Sequence, residues 1–379
     1  MGLRILVSGM VAGSPHQGGA SWAALQYLAG LAALGHDVVL VEPVPPSALR
    51  RGSEARTYLD SLGPHGERLA LIAAGERETL GIPYAELVAF AASADLLLNL
   101  SGTLREQWLL ETIDVRVFVD LDPGFNQVWH AQGHDMGFDE HTHFVTVGGL
   151  IGMAGCPIPT DGREWIATLP PVVLEHWTLA PEPPARDAFT SVGHWRSYGS
   201  IEHAGIRYGQ RAHSLRELIA LPMCSDARFE LALGIHPDET ADIEALSANG
   251  WQLLDPERVA GTPDAYRDFV RASKAELCVA KSGYVASRGG WFSDRSACYL
   301  ASGRPVAAQE TGFAELLPTG EGLLAFTTLS EAAQAVTEIE ADPGRHRAAA
   351  RAIAEEHLDA RHVLSRLLER VGATPSRDV

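Results

Sequence analysis

The sequence predicts an α/β protein made of two open parallel sheets, one in each half of the chain, facing each other across a cleft and followed by C-terminal helices. Three observations carry that prediction. Short, nearly continuous apolar runs alternate with longer segments of helical period, the pattern of parallel strands covered on both faces. The alternation halts at a proline-crowded stretch and then restarts. With 379 residues the chain exceeds one ordinary core and divides naturally into two domains of roughly 150–200 residues each.

In the first half, Arg4–Ser8 reads as a strand, followed by the loop Gly9–Gly19 and a helix over Ala20–Leu34. Ala23, Leu25, Leu28, Leu31 and Leu34 give that helix one apolar side, and Gly35 ends it. Asp37–Val41 is the next strand, with Glu42 and Pro43 at its carboxyl end. Further strands are expected at Asp95–Leu100, Val115–Asp120 and His143–Val147, and helices at Pro83–Ala94 and Leu104–Thr112. Pro159, Pro170, Pro171, Pro181, Pro183 and Pro184 then mark a connector stiffened by fixed φ angles.

The second half repeats the grammar. Strands are expected at Ala188–His194, Arg228–Ile235, Trp251–Leu254 and Glu276–Ala280, and helices at Ser214–Leu221, Thr240–Ala248 and Pro263–Ala272. Helices at Ser330–Glu340 and Gly344–Arg370 close the chain. The resulting division is a Rossmann-like domain over 1–160, a linker over 161–187, a second Rossmann-like domain over 188–345, and a C-terminal helix packing back plus a flexible tail over 346–379.

A formal charge of −18 argues against a broad nucleic-acid surface, which needs clustered Lys and Arg. Lysine occurs only at 274 and 281, the arginine bias of a high-GC bacterial genome. The four cysteines are scattered and form no CxxC pair, so neither a zinc ribbon nor a disulfide framework is indicated. The opening MGLRILVSGM reads as a strand, not a signal peptide, and no apolar run reaches the ~18 residues of a spanning helix. The expectation is a soluble, cytoplasmic protein without a transmembrane segment.

The most informative stretch runs from Lys281 to Gly322. A buried strand empties into a turn containing Ser282, Gly283, Ser287, Gly289 and Gly290, and a helix starts near Ser293 and Asp294. A short strand over Pro305–Ala308 follows, and then the polar loop Gln309–Phe313. Strand, glycine turn, capped helix and strand form a crevice at the carboxyl edge of a parallel sheet, where free N–H groups and a helix N-terminus can hold a diphosphate.

Two such halves, a hinge and a helical tail resemble glycosyltransferases of the GT-B fold. The specific resemblance lies in Ala301–Val306, Thr311–Glu315 and Gly320–Leu324, spaced as in the C-terminal half of retaining-type members. It implies a nucleotide-diphosphate sugar on the second half, an acceptor on the first, and closure about the hinge. That branch usually carries two glutamates eight positions apart; by register they fall on Gly290 and Cys298, leaving Asp294 to take over the ribose contact. The implied activity moves a sugar from a nucleotide donor, with uridine diphosphate among the candidate carriers, to a hydroxyl or other nucleophile of a small molecule or glycan. A nucleotide-sugar epimerase and a non-catalytic nucleotide- or sugar-binding homologue are the alternatives.

Candidate residues follow from these patterns. Lys281 is the expected cation for the leaving diphosphate, and His16, Asp120 and Asp122 are candidates to activate an acceptor hydroxyl, the two carboxylates sharing one face by alternation. Donor contacts are expected from His194, Arg196, Ser282, Gly283, Arg288, Gly290, Ser293, Asp294, Glu310, Thr311 and Gly312. Gly18 and Gly19 at the helix entrance, with His130 and His134 from the histidine-rich run 129–143, are expected at the acceptor. That run matches no zinc spacing, and side chains with helix dipoles can neutralise a diphosphate, so neither metal nor cofactor is expected beyond the donor itself. The partners are the nucleotide sugar and the acceptor, with a homodimer left open.

Overall fold

The computed structural model describes residues 2–373; the end of the C-terminal segment expected over 346–379 as helix and flexible tail lies outside them. The first half contributes β1 (Arg4–Ser8), β2 (Asp37–Val44), β3 (Leu69–Ala73), β4 (Thr79–Gly81), β5 (Leu96–Leu100), β6 (Arg116–Asp120), β7 (His143–Thr146) and β8 (Trp165–Ala167). They form one sheet ordered β4-β3-β2-β1-β5-β6-β7-β8, parallel except for the β3–β4 pair. In the second half come β9 (Arg186–His194), the hairpin β10 (Ile201–His203) and β11 (Ile206–Tyr208), then β12 (Phe229–Gly234), β13 (Gln252–Leu253), β14 (Ser273–Cys278), β15 (Val306–Gln309) and β16 (Leu323–Phe326). Apart from the hairpin these make a six-stranded parallel sheet ordered β13-β12-β9-β14-β15-β16.

Each sheet changes winding direction beside its first strand. β1 pairs with β2 on one side and β5 on the other, and β9 lies between β12 and β14. At such a switch point the loops leaving the carboxyl ends diverge and open a crevice. The two crevices supply the loop after β1 and the loops after β9 and β14.

Within the proline-stiffened linker expected over 161–187, the chain is packed structure. Trp165–Ala167 pairs with β7. Val172 and Trp177 are fully buried, and the Val173 N–H donates to Gln26 Oε1 at 2.8 Å. The prolines fix its course against the first helix, Gly18–Ala33. β3 was not expected, because its run Leu69–Ala73 is short and lacks β-branched residues other than Ile72.

The expected single helix 344–370 is two. Pro343–Ile353 ends in a wide turn over Ala354–Leu358, and the Asp359 carboxylate accepts the Arg361 N–H at 2.9 Å to cap a new helix, Ala360–Arg370. That last helix returns to the first half. Gly30 allows the approach: a Cβ there would sit 2.6 Å from Leu364. One apolar core therefore runs through both halves, from Val7 and Leu25 through Trp177 and Phe292 to Leu364. Among the described residues no helix is long and apolar enough to cross a membrane.

Candidate functional site

The loop after β1 is held from beneath. The carboxylate of Glu42, 2% exposed, accepts N–H groups of Val11, Ala12 and Gly13 at 2.9, 2.7 and 3.0 Å. Burial pushes this carboxyl up and the three N–H bonds oppose that. The loop then delivers His16, in a left-handed conformation at φ 64°, and the N-terminus of the helix Gly18–Ala33 to a cleft between the halves. That cleft encloses roughly 960 Å³ and is also walled by Val192, Gly193, His194, Gly234, Tyr266 and Asp294. A Cβ on Gly18 would lie 2.2 Å from the Thr262 carbonyl oxygen, and one on Gly19 2.9 Å from Tyr266. Both glycines let the second half come close.

From the second half, Arg211 reaches the carboxyl edge of the sheet. Its Nε donates to the Val279 carbonyl at 3.0 Å and its Nη1 to the His194 carbonyl at 3.3 Å. Gly193 makes room, since a Cβ there would stand 2.1 Å from Nη1. No carboxylate pairs with Arg211 among the described residues. Burial, with the neighbouring Arg295, lowers its pKa to about 10. Arg295 by contrast is tied to the buried Glu276 and to the Val192 carbonyl. His194 bonds Gln17 Oε1 across the cleft at 3.3 Å; burial, then Arg211 and Lys281, hold its pKa below the usual value. Asp294 opens the helix Asp294–Ala301, and enclosure by surrounding protein raises its pKa although its carboxyl faces the cleft. Behind it a second cavity of about 640 Å³ is bordered by Trp22, Tyr27, Tyr266, Trp291, Asp294 and Cys298. The buried Tyr27 hydroxyl in that wall has no hydrogen-bond partner.

Beside the cleft the halves meet through charge. Lys281 Nζ lies 2.9 and 3.1 Å from the Asp122 carboxylate oxygens. Tyr198 and Tyr284 donate their hydroxyls to the same carboxylate. The ammonium also stands over the rings of Tyr198, Phe125 and Tyr284 at 4.3, 5.0 and 5.3 Å. Burial lowers the Lys281 pKa, and Asp122 opposes that.

The structure therefore brings His16, Gly18, Gly19, His194 and Asp294 around one cleft, with Asp122 and Lys281 joined next to it. Other expected members sit elsewhere. Asp120 does not share the face of Asp122: fully buried, it accepts from Asn126, Gln127, Thr146 and the Asp122 N–H, which fill its lone pairs. Burial pushes its carboxyl up to about 6. The glycine turn faces the first half instead of a cleft, because the carbonyls of Gly289 and Gly290 accept the N–H groups of Leu150 and Gly149. The N–H of Gly290 is spent on the Thr311 carbonyl, and those of Ser282 and Gly283 on the Gln210 and Gly209 carbonyls. Ser293 caps its helix through Arg295 N–H. Glu310 binds the Gly312 N–H and Thr311 the Trp291 carbonyl, so that loop buttresses the turn from behind.

Arg288 is 57% exposed and its nearest carboxylate oxygens, on Glu310 and Glu315, are 3.9 Å away. Arg196 points outward to Glu239. His130 pairs with Asp161 at 3.1 Å, and His134 is exposed; neither borders these cavities. Among the described residues no three His, Cys, Asp or Glu side chains converge as metal ligands would. Arg211, Glu42, Tyr198 and Tyr284 were not anticipated. Only Arg211 left a trace in the sequence, a cation opening the helix Arg211–Glu217 after Gly209 and Gln210.

Comparison with known proteins agrees with this architecture. Residues 238–371 match the glycosyl transferase-like family. An alpha-glucosyltransferase solved with UDP and a 13-mer DNA superposes with a TM-score of 0.62 at 11% identity, over 98% of this chain and 100% of that one. HepE from Anabaena, solved with UDP and glucose, gives 0.58 at 13% over 98% and 100%. The chain has the GT-B fold. A glycosyltransferase from Rickettsia africae also aligns, with a TM-score of 0.55 at 13% identity over 98% of both chains. No curated protein matches the sequence significantly. At these identities the likeness speaks for the GT-B architecture, and the chemistry must be argued from the residues described above.

Proposed function

We propose that this GT-B protein transfers a sugar from a nucleotide-diphosphate donor to a hydroxyl acceptor. One observation carries the reading: an arginine without a carboxylate partner among the described residues, Arg211, donates to the carbonyl of His194 at the switch point of the second sheet, and His194 lines a cleft that receives the N-terminal ends of the helices Gly18–Ala33 and Asp294–Ala301. A cation and two positive helix ends attract a diphosphate and stabilise the charge that grows on it as the glycosidic bond breaks. The same groups make a metal ion unnecessary in this reading. Asp294 and Tyr27 supply a carboxylate and a hydroxyl to the adjoining cavity, where ribose or sugar hydroxyls would bind.

Asp122, joined to Lys281, Tyr198 and Tyr284, fixes the junction of the halves beside the acceptor. Lys281 is paired with Asp122, which leaves Arg211 as the cation for the donor phosphate. Calorimetric titration of UDP, dTDP, GDP and ADP tests the scheme. At least one should bind, and Arg211→Met should weaken it roughly 10–100-fold, the worth of charge-assisted hydrogen bonds at about 1.5–3 kcal/mol. Binding of none, or equal binding to the variant, would refute it.

A further inference from the structure

Beside the donor cleft, with Asp122 in its wall, lies a separate pocket of about 640 Å³. Its walls are Met10, Ala20, Ala23, Leu100 and Leu121, and its base is Asp122 with Lys281. Ala20 also borders the donor cleft, so the two spaces adjoin. Of the three hydroxyls on the wall, that of Thr103 is bonded to Ser8 at 3.1 Å and that of Tyr284 donates to Asp122, which leaves Ser101. The only charges lining the pocket are those of Asp122 and Lys281, and they neutralise each other at 2.9 Å. An incoming phosphate or carboxylate would find no free cation, and burying it unpaired is costly. A chain of formal charge −18 adds long-range repulsion of polyanions.

We propose that this pocket takes an uncharged hydroxyl compound with an apolar, flat body, its hydroxyl directed at Ser101 beside the Asp122–Lys281 pair. The proposal rests on the donor reading above and adds the class of acceptor. The small side chains Ala20 and Ala23 leave a smooth wall against which a ring can lie, and the exposed Met10 gives the rim an adaptable apolar edge.

The test uses binding, so it requires no knowledge of the donor. Fluorescence titration should show 2-naphthol binding at least about tenfold tighter than 2-naphthyl phosphate, because the phosphate must shed its hydration without compensation. Ala23→Phe, which fills the pocket, should weaken naphthol by a similar factor with melting temperature retained. Met10→Arg, at the exposed rim, should narrow the gap by giving the phosphate a partner. Equal or tighter binding of the naphthyl phosphate, displacement of naphthol by duplex DNA, or indifference to Ala23→Phe would overturn the proposal. A parallel UDP titration separates the two claims: failed naphthol discrimination with UDP binding intact removes the acceptor class alone, and absent UDP binding removes the donor reading.

Discussion

Asp122→Asn tests the charge pair that joins the halves. The Lys281 side chain is 16% exposed, and the Asp122 oxygens at 2.9 and 3.1 Å are its carboxylate partner. Asparagine preserves the shape and removes the charge. Stranding one member of a buried pair costs about 3–5 kcal/mol. The folded protein has an escape, release of the lysine proton, which from an ordinary pKa near 10.4 to pH 7 costs ~4.6 kcal/mol and sets a ceiling. That ceiling drops by about 1.4 kcal/mol per pH unit, to ~2 kcal/mol at pH 9. Burial already lowers Lys281, and Asp122 opposes the shift. Without Asp122 its folded pKa falls further below the unfolded value. Between the two values the unfolded chain binds more protons, so the variant gains stability as pH rises. Urea unfolding at pH 7, 8 and 9 should show a gap to wild type that narrows with pH. A constant gap, or one under about 1 kcal/mol at pH 7, would refute the buried-pair argument. Adding Lys281→Met should recover much of the loss, because no buried charge is then left unpaired.

Three further outcomes follow from the same geometry. Glu42→Gln leaves at least one of the N–H groups of Val11, Ala12 and Gly13 facing an amide donor, so stability should fall by about 2–3 kcal/mol in chemical denaturation, and the loop carrying His16 should gain proteolytic sensitivity. His194 is neutral at pH 7 because burial and two cations lower its pKa; a bound diphosphate raises it, so UDP affinity should increase as pH falls from about 7.5 to about 6, and His194→Gln should flatten that profile in calorimetry. Gly18→Ala drives a Cβ into the Thr262 carbonyl at 2.2 Å and should cost about 1–3 kcal/mol, read as a lower melting temperature; an unchanged melting temperature would mean that the seam yields freely.

The parallel halves were legible because strands buried on both faces must be nearly all apolar, and Arg4–Ser8 and Glu276–Ala280 leave little choice. Lys281 and Asp122 were legible one at a time, as residues leaving strand ends. Their pairing was not, since they stand 159 residues apart and meet only when the two sheets face each other. Arg211 escaped notice for a related reason: what distinguishes it is the missing side chain of Gly193 and the lack of a carboxylate, and both are facts of packing. The glycine turn illustrates the converse. A glycine requirement announces that something approaches the backbone without saying what. At Gly289 and Gly290 the approaching group is the loop Gly148–Ile151 of the first half. Asp120 and Asp122 differ in the same way, because strand alternation ends with β6 at Asp120 and no longer governs the loop beyond it.

The two positions where this chain departs from the glutamate pattern of the branch it resembles have a physical account. At Gly290 the backbone is left-handed at φ 79°, and a Cβ would stand 2.9 Å from the Leu150 nitrogen, so no side chain fits while the turn pairs with the first half. Cys298, 4% exposed, lies against Gln26 Nε2 at 3.7 Å, and an ionised glutamate in that enclosure would face a large desolvation cost. One helical turn earlier, on the same side of the helix, Asp294 keeps its carboxylate at the cleft where solvent and ligand hydroxyls can reach it. At the helix N-terminus, four residues before Cys298, the helix dipole favours the Asp294 charge. Cys298 is part of the contact between the halves through Gln26. On this argument Asp294→Asn weakens donor binding, whereas Cys298→Glu cannot rescue that variant without loosening the seam against Gln26.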